Sequence, residues 1–313
     1  MTISTGLWDR LALAEYNPKG ILQAGEELKK IISGNGFTIA TKKLRLRRNN
    51  VRQLVTGLIV NKGVNVKPEY VRQIRAMLHA WEKYGHTNAE KKFLTDYYHP
   101  VGLPSQTPPK FVNVVQGKLA FLKMVIGETD PTYIHYSSYF NRLLLLERFN
   151  AMLSETDHNR RGFEFEKFIN AVFHAQGIQM EGSFRRNQNA EQIDGAFKFG
   201  SIYFLAECRW RNVPSSPDQT DAFLAKVSQR SGGFTMGLFI SVNGWTQGVI
   251  TTLKLNKDRL LILANGECIR GVLEKGINLK DLIEEKIRYV SIKAEPFCSI
   301  EDYLKERRSG AAK

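Results

Sequence analysis

The chain has 313 residues, 42% hydrophobic and 24% charged, a composition that suits a soluble globular protein with room for two domains. No run approaches the roughly 18 apolar residues of a membrane span, and the opening MTISTGLWDR lacks the basic-then-apolar layout of a secretory signal. The net charge of +14 is uneven: residues 1–150 hold 22 Lys/Arg against 11 Asp/Glu, and the remaining 163 hold 23 against 20.

A basic first half beside a nearly balanced second half suggests that one part grips a polyanion, DNA or RNA, while the other acts more locally. Cys208, Cys268 and Cys298 are distant in sequence and odd in number. They argue against a disulfide framework or a thiolate zinc cluster and for a reducing, cytoplasmic setting.

In chain order, residues 25–32 read as a helix that Gly34-Asn35-Gly36 ends, and 37–40 as a short strand. KKLRLRRNN, residues 42–50, alternates leucine with basic residues, so Lys43, Arg45 and Arg47 are expected to face out from a core-facing row. Residues 51–66 are rich in β-branched types, with a hairpin turn expected at Asn61-Lys62-Gly63 and either a bulge or a close backbone approach at Gly57. KPEYVRQIRAMLHAWEKYG predicts a helix with an early proline, an apolar stripe of Val71, Ile74, Leu78 and Trp81, and a stop at Gly85. His79 is expected to be packed rather than catalytic. Pro100 to Pro109 read as a loop or hinge, residues 111–127 and 133–153 as helices, and 154–162 as the domain boundary.

Beyond it, FEFEKFINAVFHAQG predicts a helix, residues 193–210 a strand pair, DAFLAKVSQRS a helix and TMGLFISVNG a buried strand. TTLKLNKDRLLILANGE is expected to supply one more strand and INLKDLIEEKIRYVS the terminal helix. The whole is α/β: a mostly helical first domain, 1–153, with a small β hairpin, and a second, 160–313, with a mixed sheet flanked by helices.

Chemistry concentrates in IDGAFKFGSIYFLAECRWR. A turn near Gly200-Ser201 allows Asp194 and Glu207 to converge at one end of a strand pair, and Glu207 and Arg209, two apart, face the same way. Carboxylate oxygens with substrate phosphate suit Mg²⁺, or Mn²⁺, which polarises a scissile phosphate. Asp194 and Glu207 are therefore the candidate metal ligands, with Cys208 pointing into the core and its carbonyl near Glu207. The competing reading makes Glu207 a surface acid paired with Arg209 or Arg211. Glu166, among the aromatics of FEFEKF, can reach the metal through water or be an exposed helix acid. Gln192 either positions a phosphate or caps a turn.

GFEFEKFINAVF, EQIDGAF, FLAECRW and GLFISVNGW together resemble the restriction-endonuclease-like fold, the PD-(D/E)xK superfamily, and its Mrr-like branch, over roughly residues 160–290. The resemblance implies a Mg²⁺-dependent nuclease with Asp194 and Glu207 as the paired acids and Glu166 as the first-helix acid. Arg209 stands where that family has a lysine. Arginine keeps the charge but stays protonated, so it is a poor proton carrier.

Residues 36–61, the helix after them and residues 117–143 resemble the palm end and thumb of bacterial reverse transcriptases of the retron and group II type. That resemblance implies a thumb-like clamp for a duplex or hybrid, with Lys42, Lys43, Arg45, Arg47, Arg48, Arg52, Arg72 and Arg75 as phosphate contacts. No YxDD-type signature occurs, so self-contained polymerisation is not expected. Three readings stay open: an endonuclease of antiphage defence, in the related families often a homodimer; a binding or assembly protein with weak or no catalysis; and an accessory to a reverse-transcriptase partner.

Overall fold

A computed structural model describes residues 13–47, 50–98, 107–186, 191–230, 234–256 and 260–310. It is mixed α/β and divides into two compact units, Met1–Tyr136 and Ser137–Lys313.

In the first unit, β1 (Ala14–Tyr16) and β2 (Leu22–Ala24) pair antiparallel across a turn. Asn17 Oδ1 fixes that turn by accepting from the N–H groups of Lys19 and Ile21 at 3.0 and 2.9 Å. α1 (Glu26–Gly34) follows, with two acids in its first turn and Leu28 buried. The strand expected at 37–40 does not form: no strand pairs with it among the described residues, and Phe37 is exposed. Thr41–Lys43 is a single 3-10 turn. The leucine alternation after it builds no core-facing row, since Leu46 is exposed and Leu44 only half-buried.

β3 (Leu54–Val55) and β4 (Leu58–Ile59) form the expected small hairpin, but its turn is Thr56-Gly57. Both turn residues have positive φ, 48° and 90°, the backbone that matches the twist of paired strands in a two-residue turn. A β-branched residue rarely adopts it, which is why Thr56 carried no turn signal. Asn61-Lys62-Gly63 instead lies in a second loop, closed by an Ile59–Asn65 bridge. Asn61 ties that loop back, accepting from Gln53 N–H and donating to the Val51 carbonyl, both at 2.7 Å.

α2 (Pro68–Tyr84) buries Ile74, Leu78 and Trp81 and stops at Gly85, while His79 lies on its exposed side rather than packed. α3 (His86–Asp96) and α4 (Phe111–Ile126) pack with it, Phe111 setting its ring against Trp81. Most of the proline-rich stretch between α3 and α4 lies outside the described residues. α5 (Pro131–Leu153) contains the division between the units.

The second unit continues with α6 (His158–Ala175), whose N-cap Asp157 accepts from the N–H groups of Asn159 and Arg160. β5 (Met180–Glu181) follows, and then β6 (Phe184–Arg186) and β7 (Glu191–Ile193) pair as a separate hairpin. β8 (Gly195–Phe199) and β9 (Ile202–Arg209) are antiparallel. α7 (Pro217–Ser228) leads to β10 (Thr235–Ser241), which lies parallel to β9 and is buried throughout. α8 (Gln247–Leu255) leads to β11 (Leu261–Asn265), parallel to β10. The sheet order is β11-β10-β9-β8-β5.

The segment TTLKL belongs to α8 and not to the strand. α9 (Gly266–Leu273), α10 (Leu279–Arg288) and α11 (Ile300–Gly310) complete the unit, so α10 is not the last helix. Cys208, Cys268 and Cys298 are buried free thiols. Among the described residues no helix is long and apolar enough to cross a membrane.

Strand alternation sorts the core into two layers. Phe204 and Cys208 of β9 join Phe165, Phe168 and Val172 of α6 on one face. Leu205 and Phe239 join Phe223 and Val227 of α7 on the other. Helix and sheet approach closely at Gly237, where a Cβ would collide with Leu261 and stand 2.7 Å from Phe223 and 2.9 Å from Val227. Gly237→Ala should therefore cost about 1–3 kcal/mol in urea unfolding through overpacking. An unchanged midpoint would show that α7 is not clamped there.

Candidate active site

The site grows from the β8–β9 register. Gly195 pairs with Ala206, so Asp194, just ahead of β8, stands beside Glu207 and Cys208. Its Oδ2 accepts from the Cys208 N–H at 2.9 Å. Glu207 is only 3% exposed, between an apolar β9 run and its β10 partner Phe239. A carboxylate taken this far out of water needs charged or hydrogen-bonded partners. It has two cations: Arg209 donates to Oε1, and Lys226 Nζ donates to Oε2 at 3.2 Å. The exposure in the bland surface reading of Glu207 is thus absent, though its pairing with Arg209 is present. Arg209 Nε is buried and has no partner among the described residues.

Glu166 of α6 is half-buried, and burial together with the charges of Asp194 and Glu207 pushes its carboxyl up to about 7. Asp194 is also raised, first by burial and then by Glu207. The Cys208 N–H and the charges of Arg209 and Lys226 act the other way. Asp194, Glu207, Arg209 and Glu166 therefore share one electrostatic cluster. Cys208 turns its side chain into the opposite core layer, where burial keeps the thiol protonated.

Gln192 does not bring its side chain into this arrangement. It is exposed and sits in β7 opposite Arg185. Its carbonyl accepts from Lys226 Nζ at 2.9 Å. Lys226 is the residue that sequence reasoning missed. It lies 19 positions from Glu207, and only the packing of α7 against β9 and β10 brings the two together. The available signal was its place beside Val227, on the helix edge next to the buried stripe of Thr220, Phe223 and Val227.

Among the described residues no group of three or more His, Cys, Asp or Glu side chains is arranged to hold a metal ion. The chemistry of the pair still suits a hard divalent cation. The donors are carboxylate oxygens, and Asp194 Oδ1 makes no hydrogen bond among the described residues. Burial first, and neighbouring carboxylate charge second, raise the carboxyls of Asp194 and Glu166, and a bound cation would offset the second of these.

In the first unit Lys42, Lys43, Arg45, Arg47, Arg52, Arg72 and Arg75 are all exposed. Arg48 lies outside the described residues. Arg45 donates to the carbonyls of Lys42 and Leu44, and Arg47 to that of Arg52. Arg72 pairs with Glu69 at 2.9 Å, and that carboxyl is held low first by a backbone hydrogen bond and then by the charges of Arg72, Arg52 and Lys67.

No family model matches the chain. One similar solved structure is a protein of unknown function, AF1548, at 13% identity and a TM-score of 0.27, covering 39% of this chain and 75% of that one. Another is the MspJI restriction endonuclease in complex with a 27-mer oligonucleotide, at 13% identity and a TM-score of 0.28, covering 68% of this chain and 52% of that one. The chain therefore spans about half the length of MspJI. Likenesses this low carry no weight for fold or function.

A raised carboxyl means that the folded state binds a proton which the unfolded chain has released. Stability is then lost as pH rises from the ordinary carboxylate value of 4.5 through about 7. Glu166→Gln removes this loss. In urea unfolding at pH 5 and pH 8, the variant should gain on the wild type at pH 8. An equal pH dependence of the two proteins would contradict the raised carboxyl.

Proposed function

We propose that the protein is a metal-dependent nuclease whose chemistry is carried by the second unit, 137–313, with the basic first unit as a nucleic-acid clamp. The observation that supports this is the gathering of Asp194, Glu207 and Glu166 beside Arg209 at one end of a mixed sheet. Asp194 and Glu207 would hold Mg²⁺ or Mn²⁺, which when bound polarises the scissile phosphate and acidifies water. The element order, one helix, the β8–β9 pair and then α7 and parallel β10, is consistent with the restriction-endonuclease-like resemblance.

In the hydrolysis a water oxygen bonds to phosphorus as the bond from phosphorus to the leaving oxygen breaks. Solvent takes the water's proton and supplies one to the leaving oxygen. Arg209 remains a cation throughout and binds phosphate. Glu166, whose carboxyl lies near neutrality, can hold a proton beside the reacting water below about pH 7.

The finer assignments belong to the same proposal. The first unit acts as a thumb-like clamp and the second as the nuclease domain. The setting is the cytoplasm and antiphage defence, and the active form is a homodimer or a complex with a reverse transcriptase. The second reading, a binding protein of weak or no catalysis, is favoured by one observation. Both Glu207 oxygens already carry cationic partners, so Arg209 occupies ground that a metal would use.

Incubating the protein with single-stranded DNA, duplex DNA, RNA and an RNA–DNA hybrid in Mg²⁺ or Mn²⁺ separates the two. The nuclease reading expects metal-dependent cutting that Asp194→Ala lowers by roughly 1,000-fold or more, the scale set by transition-state charge stabilisation. Tight binding without cutting on every substrate would favour the second. Binding should also weaken steeply with salt. Arg52→Ala and Arg72→Ala should each flatten the logarithmic salt slope by about 0.7–0.9, one lost phosphate contact apiece. An unaltered slope would remove the first unit from the interface.

A further inference from the structure

We infer that Lys226 is a catalytic cation of this site, donating to the substrate phosphate, and that Arg209 is the cation that gives way when metal arrives. The inference rests on the nuclease reading above. It starts from an inequality between the two cations on Glu207. Lys226 Nζ has two anchors from different strands, the Gln192 carbonyl on β7 at 2.9 Å and Glu207 Oε2 on β9 at 3.2 Å. Its helix is held against the sheet at Gly237, where Val227, the next residue, closes the contact. Arg209 has one anchor among the described residues, Glu207 Oε1, while its buried Nε has no partner among them.

An ammonium carries three N–H donors, and two are committed here. The third is uncommitted among the described residues, on a side chain that keeps 25% exposure. The result is a compact, fixed positive charge with one donor to spare, beside the carboxylate that would hold metal. Such a donor, set in place before the reaction, stabilises charge that grows on the non-bridging phosphate oxygens as the water–phosphorus bond forms. The water's proton leaves to solvent. Guanidinium and ammonium are not interchangeable here, because the reach to both Gln192 and Glu207 uses the lysine's slender end.

Were Asp194 and Glu207 to hold a divalent cation, the singly anchored Arg209 would be the one to release the carboxylate, and its fork would then be available for phosphate.

The test uses the full chain as wild type, Asp194→Ala, Lys226→Met, Lys226→Gln and Lys226→Arg. Two quantities are read: steady-state cleavage with Mg²⁺ on the substrate that the wild type cuts, and calorimetric titration with Mn²⁺ in the absence of nucleic acid. The expected result for Lys226→Met is a roughly 100-fold fall in kcat with KM changed by less than about 3-fold. Its Mn²⁺ binding should be roughly 3- to 10-fold tighter, because a competing charge has left Glu207. Lys226→Arg should recover part of kcat. Lys226→Gln, which keeps a donor for the Gln192 carbonyl, should follow Lys226→Met and covers the case in which methionine disturbs folding.

Cleavage by Lys226→Met and Lys226→Gln within about 3-fold of the wild type would overturn the proposal. So would loss of cleavage together with weaker Mn²⁺ binding, the mark of a lysine that only props up the fold. Failure of the underlying reading looks different: the wild type neither cuts nor binds Mn²⁺ more tightly than Asp194→Ala. In that event the inference falls with it.

Discussion

The second unit is organised around one costly placement, the Glu207 carboxylate at 3% exposure inside an apolar sheet. Removing such an ion from water costs several kcal/mol, and mutual attraction offsets this only with close, well-directed partners. Arg209 and Lys226 provide the offset from different elements, one from the same strand and one from the following helix. Much of the surrounding architecture serves that meeting. The parallel β9–β10 pairing sets Phe239 beside Glu207, and Gly237 lets α7 come near enough for Lys226 to reach. The β6–β7 hairpin contributes the carbonyl that steadies the ammonium.

The same burial shapes the acids around it. Burial first, and then the neighbouring carboxylates, raise both Asp194 and Glu166. The protein's own cations, Arg209 and Lys226, neutralise Glu207 in the structure; in the proposed reaction an external metal ion would take over part of that task. This balance links the nuclease and binding readings, which differ only in which cation Glu207 keeps.

Legibility in the sequence followed the range of the interaction. Glu207 and Arg209 share a strand, so their common face was readable from spacing two, and Asp194 was readable because a tight turn joins the two strands. α2 and β10 were plain from periodicity and from a continuous apolar run. What escaped depended on tertiary packing or on unusual backbone. Lys226 meets Glu207 only through the β9–α7–β10 crossover, and the hairpin turn fell on a threonine at positive φ. Phe37–Ala40 had strand-like residues but found no neighbouring strand, so their propensity built nothing. Gln192 was read for its side chain, as a phosphate-positioning or turn-capping group, whereas its contact with Lys226 runs through its carbonyl, a group that every residue carries.

The central claim is that Asp194 and Glu207 form a divalent-cation site for which Arg209 competes. Anomalous diffraction from crystals of the protein soaked in Mn²⁺ tests it most directly. The account predicts one strong peak bound by Asp194 and Glu207, with the Arg209 guanidinium moved off Oε1 and Lys226 still on the Gln192 carbonyl. A crystal with no such peak, and with both Arg209 and Lys226 still seated on Glu207 at saturating Mn²⁺, would contradict it.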